Sequence, residues 1–348
     1  MRHPYQNLPE RAFWKSAVSG RNIFDIADVW APKHAIHRAD KIVTYGSCFA
    51  AHIGPQLRAH GYNWHICEPA PHGLGEESAR SLGYHLFSAR TGNIYTASLL
   101  KQWLHWACGI SDPPEDEIVS ENGRYYDPFR PRIEPDGFES PEELLGSRAQ
   151  AVKSFRASIV QAQYFIFTLG LTESWHNLKH GYEYPVCPGT ACGTFDASVH
   201  GFKKMSFQEI YGDLQAAISL MRDANPALQL IFTVSPVSLV ATYSGTHVLP
   251  ATVESKSVLR AVAGELSSLP FVDYFPSYEL ISSPVFRGVF YQGNQRSVHP
   301  AGVDFVMKHF FAALPQEDAP RDVGAPTPEA QSADAKCEEE LLEAFASR

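Results

Sequence analysis

Short apolar runs recur along the chain and are separated by longer segments in which apolar residues repeat at helical spacing. The runs are continuous rather than alternating, which is typical of strands that are buried on both faces. Five of them qualify as strands: 41–45 (KIVTY), 62–66 (YNWHI), 164–170 (YFIFTLG), 228–236 (LQLIFTVSP) and 271–275 (FVDYF). Because helices separate them, the pattern predicts an α/β protein with a parallel sheet covered by helices on both faces.

The helices carry start and stop signals of their own. Apolar residues at helical spacing follow strand 41–45 and end at Gly61, a C-terminal stop; they are Phe49, Ile53 and Leu57. Two further helices begin with the pattern of a capping box, a Ser followed three residues later by a Glu, at Ser140 and Ser206. The remaining predicted helices cover 96–109, 252–267 and 300–313.

Turn and composition signals along the chain predict the domain boundaries. Asn122-Gly123 between strand-like runs predicts a hairpin insertion near 115–135. Residues 182–196 form an excursion rich in Pro and Gly. We therefore predict a wrapping segment over 1–30, one domain over 31–314, and an acidic, mostly disordered tail over 315–348.

Composition narrows the class of protein. The 348 residues carry a formal charge of −9, of which residues 316–348 contribute −6. A net positive field that would gather phosphates is missing, so we expect no nucleic-acid partner. We find no signal peptide and no apolar stretch of spanning length, so we expect a cytoplasmic protein with its six cysteines reduced. The tail stretch CEEELLEAFA is a candidate for a short docking helix.

The candidate catalytic residues lie beyond the carboxyl ends of the strands, where ligands bind in open α/β sheets. There the segment YGSCFA places Ser47 and Cys48 on a tight turn between a strand and a helix. Unpaired amides at a helix start lower a thiol pKa and can hold an oxyanion. Either residue is thus a candidate nucleophile, although a buried Cys that packs as a small hydrophobe is the simpler alternative.

A nucleophile needs a base, and His299 precedes the last helix at the same end of the sheet. The other candidates are His52, His176 and His247. Thr172 and Glu173, in the segment GLTESW, are candidate oxyanion donors or orienting groups.

Cofactor and metal signals are weak. Cys187 and Cys192 have C-x₄-C spacing near His180 and His200, but a second cysteine pair is missing. The chain has no G-x-S-x-G elbow, no P-loop and no G-x-G-x-x-G motif. We therefore expect neither a cofactor nor a metal.

Several segments together resemble a known family. The segment TYGSCFAAHI (44–53) resembles the motif that names the GSCFA domain family of bacterial proteins. Further segments across about 30–312 resemble its proteobacterial branch: SARTGNIYTASLLKQW, GLTESW, YPVCPGT, FTVSPV, HVLPATVESKSVLRAVAGEL, VDYFPSYEL and RSVHPAGVDFVMKHFF. The family is grouped with the SGNH/GDSL-type hydrolases. The resemblance implies a three-layer, flavodoxin-like α/β/α domain with about five parallel strands.

The resemblance also implies an activity, ester hydrolysis or acyl transfer on O-acyl groups of polysaccharides or other glycoconjugates. In those hydrolases a G-D-S turn supplies the serine nucleophile, so the register puts Cys48 at the nucleophile and Ser47 at the Asp. The Gly that lends an amide to the oxyanion hole matches Gly92, with Asn93 beside it. In the G-x-N-D block, Thr172 replaces the Asn and is followed by Glu173.

Departures from the pattern keep a second hypothesis open. In the D-x-x-H block His299 matches the base, but Arg296 stands where the Asp should be. Losing such an orienting acid or an oxyanion donor can cost about two to three powers of ten in rate. Glu173, Asp273 or Glu279 are possible substitutes for the acid, and His247 is an alternative base. Besides an acyl hydrolase or acyltransferase, a degenerate glycan- or acyl-binding module therefore stays open, as does a less favoured metal-dependent phosphoesterase.

Overall fold

A computed structural model describes residues 3–315 and 338–346 of the chain. Apart from short 3-10 and π turns, its elements in chain order are β1 (Ile42–Gly46), α1 (Ile53–Ala59), α2 (Glu76–Ser81), α3 (Ala97–Ala107), β2 (Val119–Glu121), β3 (Arg124–Tyr126), α4 (Pro141–Gln161), β4 (Tyr164–Leu169), β5 (Glu173–Asn177), β6 (Glu183–Tyr184), β7 (His200–Lys204), α5 (Phe207–Ala224), β8 (Gln229–Val234), α6 (Val248–Leu266), β9 (Val272–Tyr274), α7 (Ser277–Ser282) and α8 (Pro300–Ala312).

The main sheet has four parallel strands in the order β1-β4-β8-β9. Alternate residues of β4 face opposite sides: Phe165 and Phe167 enter one hydrophobic core, and Tyr164 and Ile166 enter another. The first core contains residues of α3, α4, α5 and α6, whereas the second contains residues of α1, α7 and α8. The predicted α/β architecture, with a parallel sheet flanked by helices, is thus confirmed.

The prediction of five strands is wrong by one among the described residues. Segment 62–66 lies beside β1, but it forms only one parallel bridge, between Ile42 and Trp64. The Ile42 N–H donates to the carbonyl of Asn63, and the amide of His65 donates to the carbonyl of Ile42. The next position along β1 is taken by Ser88, which bonds both backbone groups of Thr44. The ladder therefore cannot continue.

The predicted helices form close to the expected positions. Gly61 ends the first one with a positive φ of 75°. Ser206 and Glu209 make both bonds of a capping box at the start of α5. At α4, Ser140 caps the amide of Glu143, but the Glu143 carboxylate bonds the amide of Glu139 rather than that of the cap residue.

A second sheet, of three antiparallel strands in the order β6-β5-β7, was not predicted. It follows the carboxyl end of β4 in the chain. The segment 182–196 that we expected to be an excursion contributes β6 at its start, and β7 follows its end. The predicted hairpin is present as β2 and β3, with Asn122 and Gly123 at positive φ.

A buried ionic cluster lies next to the hairpin. Asp127 pairs with Arg130 at 2.8 Å and with Arg148 of α4 at 3.0 Å. Burial alone would raise the pKa of Asp127, but the two guanidinium groups outweigh it and hold the pKa below its usual value.

The ends of the chain contribute short turns. In the N-terminal part, Trp30 packs between Phe275 and Phe310 in the second core. The tail prediction falls partly on residues 316–337, which lie outside the described residues. Glu338–Phe345 form a 3-10 helix, which we call the tail helix.

Candidate functional site

The turn Gly46-Ser47-Cys48, which we call the GSC turn, begins at a glycine that no other residue could replace without strain. Gly46 ends β1 with φ +132°, and a Cβ there would lie 2.4 Å from the carbonyl oxygen of Thr168. The Ser47 amide donates to that same oxygen at 3.0 Å, so the turn is bonded to the end of β4. A 3-10 helix, Cys48–His52, follows directly and continues into α1.

Three of the predicted segments meet at this turn. The Ile94 amide donates to the Gly46 carbonyl at 2.9 Å, and the Tyr95 carbonyl accepts from the amides of Gly170 and Leu171. A Cβ on Gly170 would lie 2.9 Å from Cβ of Ser47. The segments TGNIY and GLTESW are thus held against the GSC turn by backbone bonds.

The two candidate nucleophiles differ in their bonding. The Ser47 hydroxyl is buried and has no hydrogen-bond partner among the described residues. Cys48 is nearly buried and takes part in a disulfide. The expectation that every cysteine is a reduced thiol is therefore wrong for Cys48.

The other described cysteines are free: Cys67, Cys108, Cys187 and Cys192. Burial raises the pKa of all four, to about 11 for Cys67 and about 12 for Cys192. Their thiols are therefore poor nucleophiles at neutral pH.

Candidate oxyanion groups lie on the two neighbouring segments. Gly92 has φ +67°, and Asn93 follows it at half-buried depth. Thr172 is buried, and its carbonyl accepts from the amide of Met205. Glu173 points instead to the loop after β8, where its carboxylate accepts a 2.6 Å hydrogen bond from the Thr242 hydroxyl.

Two of the four candidate base histidines, His299 and His247, cap helices. The His299 Nδ1 accepts from the amide of Ala301 at 3.2 Å, and the His247 Nδ1 accepts from the amide of Leu249 at 3.1 Å. A ring nitrogen that accepts a hydrogen bond carries no proton, so the neutral ring carries its proton on Nε2. In this arrangement Nε2 is a donor, and either histidine must release its cap bond before Nε2 can act as a base.

The other two candidate acids, Asp273 and Glu279, and Arg296 each bond a group outside the GSC turn. Asp273 accepts from the backbone amide of Lys33, and Glu279 pairs with Arg260. Arg296, which replaces the expected Asp, donates through Nε to the carbonyl of Ser238 at 2.9 Å. It thereby joins the loop before α8 to the loop after β8.

One buried cation was not singled out from the sequence. Lys256 of α6 is 1% exposed, and its Nζ donates to the carbonyl of Gly170 at 2.7 Å. It thus holds the glycine that touches Ser47. The only sequence signal was its place in the apolar pattern of a helix that covers the sheet.

An apolar pocket of about 270 Å³ opens beside the turn. Leu171, Val186 and Leu239 line it and also pack in one cluster with Cys48. Aromatic rings form much of its remaining wall: Trp175, Phe195, Phe202 and Tyr243. The pocket suits an apolar group of a few carbons bound next to Cys48.

A buried acid lies on the other side of the second sheet. Burial raises the pKa of Glu183 to about 7, although hydrogen bonds from Ser98 and Thr96 oppose the shift. His176 lies 3.7 Å away, and burial lowers its pKa, so this candidate base belongs to a separate pair.

Metal ligands do not cluster in the part of the chain that the structure describes, where no group of three or more His, Cys, Asp or Glu could hold an ion. Over the same residues, no helix is both long and apolar enough to cross a membrane.

The fold and the turn define the class: a parallel α/β protein with a Ser-Cys turn at the carboxyl end of β1 and an apolar pocket next to it. A family model described as the GSCFA family matches residues 41–310, which is most of the chain. The chain therefore belongs to the GSCFA family. No curated protein matches it.

Proposed function

We propose that this protein is an acyl-ester hydrolase or acyltransferase that acts on O-acylated polysaccharide or glycoconjugate. One observation carries the proposal: the GSC turn, the TGNIY segment and the GLTESW segment meet at the carboxyl end of β1 and β4. These are the segments that would supply nucleophile and oxyanion hole in an SGNH-like, flavodoxin-like hydrolase.

Cys48 is the proposed nucleophile in its reduced form. The base takes the thiol proton, and the thiolate attacks the ester carbonyl. The bond from the carbonyl carbon to the sugar oxygen then breaks, the leaving alkoxide receives the proton from the base, and the acyl group stays on sulfur as a thioester. Water or a second hydroxyl then takes the acyl group and restores the thiol. Ser47 is the alternative nucleophile, because its buried hydroxyl has no described partner.

The proposed oxyanion hole consists of the Cys48 and Gly92 amides and the Thr172 hydroxyl, with Asn93 beside them. Lys256 positions this hole through the Gly170 carbonyl and is a positioning residue. The proposed base is His299, with His247 as its alternative. The base works only after its ring has exchanged the cap bond for one to the nucleophile.

The apolar pocket supports the choice of an acyl substrate. Because its walls are aliphatic and aromatic, it favours the acyl part of the ester over the sugar. The polar sugar would lie towards the exposed loops.

The test is ester turnover by the reduced protein with a series of p-nitrophenyl esters of increasing acyl length. We expect Cys48→Ala to lower kcat/KM by about 10³-fold or more, with Ser47→Ala as the comparison that identifies the nucleophile. His299→Asn can keep the helix cap and loses the base, so we expect about 10²–10⁴-fold less activity with little change in stability. Turnover that survives both Cys48→Ala and Ser47→Ala would refute the proposal.

The second candidate is a binding module without catalysis. It is favoured by the His299 cap bond and by Arg296 in place of the orienting acid. It predicts that acylated oligosaccharide binds with measurable heat in calorimetry, while the reduced protein does not turn over any ester of the series.

A further inference from the structure

One wall of the apolar pocket beside Cys48 comes from the tail of the chain itself. Leu342 of the tail helix is one of the residues that line the pocket, together with Trp175 and Phe202. Leu342 is half-buried, whereas Phe345 of the same helix is 55% exposed. The helix therefore presents one side to the pocket.

A second contact holds the tail helix at the same place. The Glu340 carboxylate lies 3.5 Å from Nη1 of Arg296, whose side chain is 9% exposed. The same guanidinium bonds the Ser238 carbonyl, in the loop that also supplies Leu239 to the pocket wall. An acidic, leucine-bearing segment thus matches a pocket with an apolar interior and an arginine nearby.

The disulfide of Cys48 gives a third and independent observation. Four of the other five cysteines are free thiols, at 67, 108, 187 and 192. In the sequence, Cys337 directly precedes the tail helix, and it lies outside the described residues.

We propose that the tail helix is an intramolecular ligand of the apolar pocket, held there by the Cys48 disulfide and released when that disulfide is reduced. The ligand class that the pocket takes is an apolar chain next to an acidic group. The consequence for catalysis rests on the proposed function, because a disulfide withholds the thiol of Cys48 and a bound tail closes one side of the pocket that would take the acyl group.

The release step requires a dithiol reductant. A thiolate of the reductant attacks one sulfur of the disulfide, and its second thiol then displaces the mixed disulfide. Two electrons and two protons pass to the protein, which gains two thiols, and the dithiol becomes a disulfide. Rebinding requires the reverse exchange with an oxidised dithiol.

The first measurement is peptide mapping of the full chain purified without reductant. We expect a cross-linked peptide that joins Cys48 to Cys337 within a chain of monomer mass. A cross-link of Cys48 to any other cysteine, to a second chain, or no cross-link at all would overturn the proposal.

The second measurement is binding of 1-anilinonaphthalene-8-sulfonate, an apolar anionic dye, to the full chain. A dithiol reductant should raise its fluorescence several-fold, and Cys337→Ser should do the same without reductant. Cys108→Ser is the matched control and should change nothing, because that thiol is free.

The third measurement separates the contribution of the tail-helix contacts to docking from that of the disulfide. In protein kept without reductant, Leu342→Asp should weaken docking of the tail helix by about tenfold or more and raise dye binding although the disulfide is intact, whereas Phe345→Asp on the exposed side should not. Equal dye binding by both variants and the unchanged chain would refute the docking. Since no ester is used, these results stand apart from failure of the proposed activity.

Discussion

The buried carboxyl of Glu183 makes a quantitative prediction about stability. The side chain is 3% exposed and accepts a hydrogen bond from the Thr96 hydroxyl, which also caps α3. The Gln102 side chain bonds both backbone groups of Glu183: Nε2 of Gln102 donates to the Glu183 carbonyl, and Oε1 of Gln102 accepts from the Glu183 amide. Replacement by Gln keeps the shape and removes only the titration, so Glu183→Gln isolates the effect of the charge.

The sign and the size of the pH-dependent change in unfolding free energy follow from the pKa of Glu183. Burial raises the pKa of Glu183 from 4.5 to about 7, so the folded state binds the proton more tightly than the unfolded chain. The stabilisation that the protonated carboxyl contributes is therefore fully present below pH 4.5 and is lost as the pH rises to about 7. The difference corresponds to about 3 kcal/mol of unfolding free energy.

The assay is urea unfolding at several pH values between 4 and 8, read by circular dichroism. Relative to the unchanged protein, Glu183→Gln should gain about 3 kcal/mol of unfolding free energy across this range. The control is Glu139→Gln, at a carboxylate that is 83% exposed, and it should show no such trend. A constant difference between Glu183→Gln and the unchanged protein at every pH would refute the reasoning.

Two further predictions concern packing and buried charge. Gly170→Ala should cost about 1–3 kcal/mol of unfolding free energy, because the added Cβ would press on Ser47. The control is Gly146→Ala on the exposed side of α4, where an added Cβ meets nothing, and it should stabilise the protein by up to about 1 kcal/mol. Asp127→Asn should cost about 3–5 kcal/mol, because two buried guanidinium groups lose their counter-ion, while exposed Asp112→Asn should cost almost nothing. Denaturant titration at neutral pH measures all four, and a loss below about 1 kcal/mol for Asp127→Asn would contradict the second prediction.

The main sheet could be predicted because burial on both faces makes its strands continuously apolar. Strands β4, β8 and β9 lie within the predicted runs, and β1 exceeds its run by one residue, Gly46. Segment 62–66 has the same composition, yet it pairs at one position only, because Ser88 takes the next place beside Thr44. Competition between two distant segments for one strand edge leaves no mark in either local sequence.

The second sheet could not be predicted for a different reason. Strand β6 has only two residues, and β5 begins within the GLTESW segment, where Glu173 looks like part of a capping turn. These strands are stabilised by pairing across long stretches of chain, which local propensity does not register.

The candidate site was predictable in its backbone and less so in its side chains. A strand, a Gly and a helix start place Ser47 and Cys48 at the sheet end whatever the rest of the chain does. The cap bond of His299 has a sequence signal, because Pro300 is typical of a first helical position. The disulfide of Cys48 has none, since pairing depends on which thiols the fold brings together.

The outer edges of the main sheet decide how this protein can meet its neighbours. Along β1, the backbone groups of Ile42, Thr44 and Gly46 are already bonded by segments of the same chain. Beside β9, Lys33 bonds the Val272 carbonyl through Nζ and the Asp273 carboxylate through its amide. Among the described residues, groups of the chain itself thus cover the backbone of β1 and part of β9, which leaves the main sheet little free edge for strand addition. We therefore expect association with another copy or a partner to use side chains rather than a shared sheet.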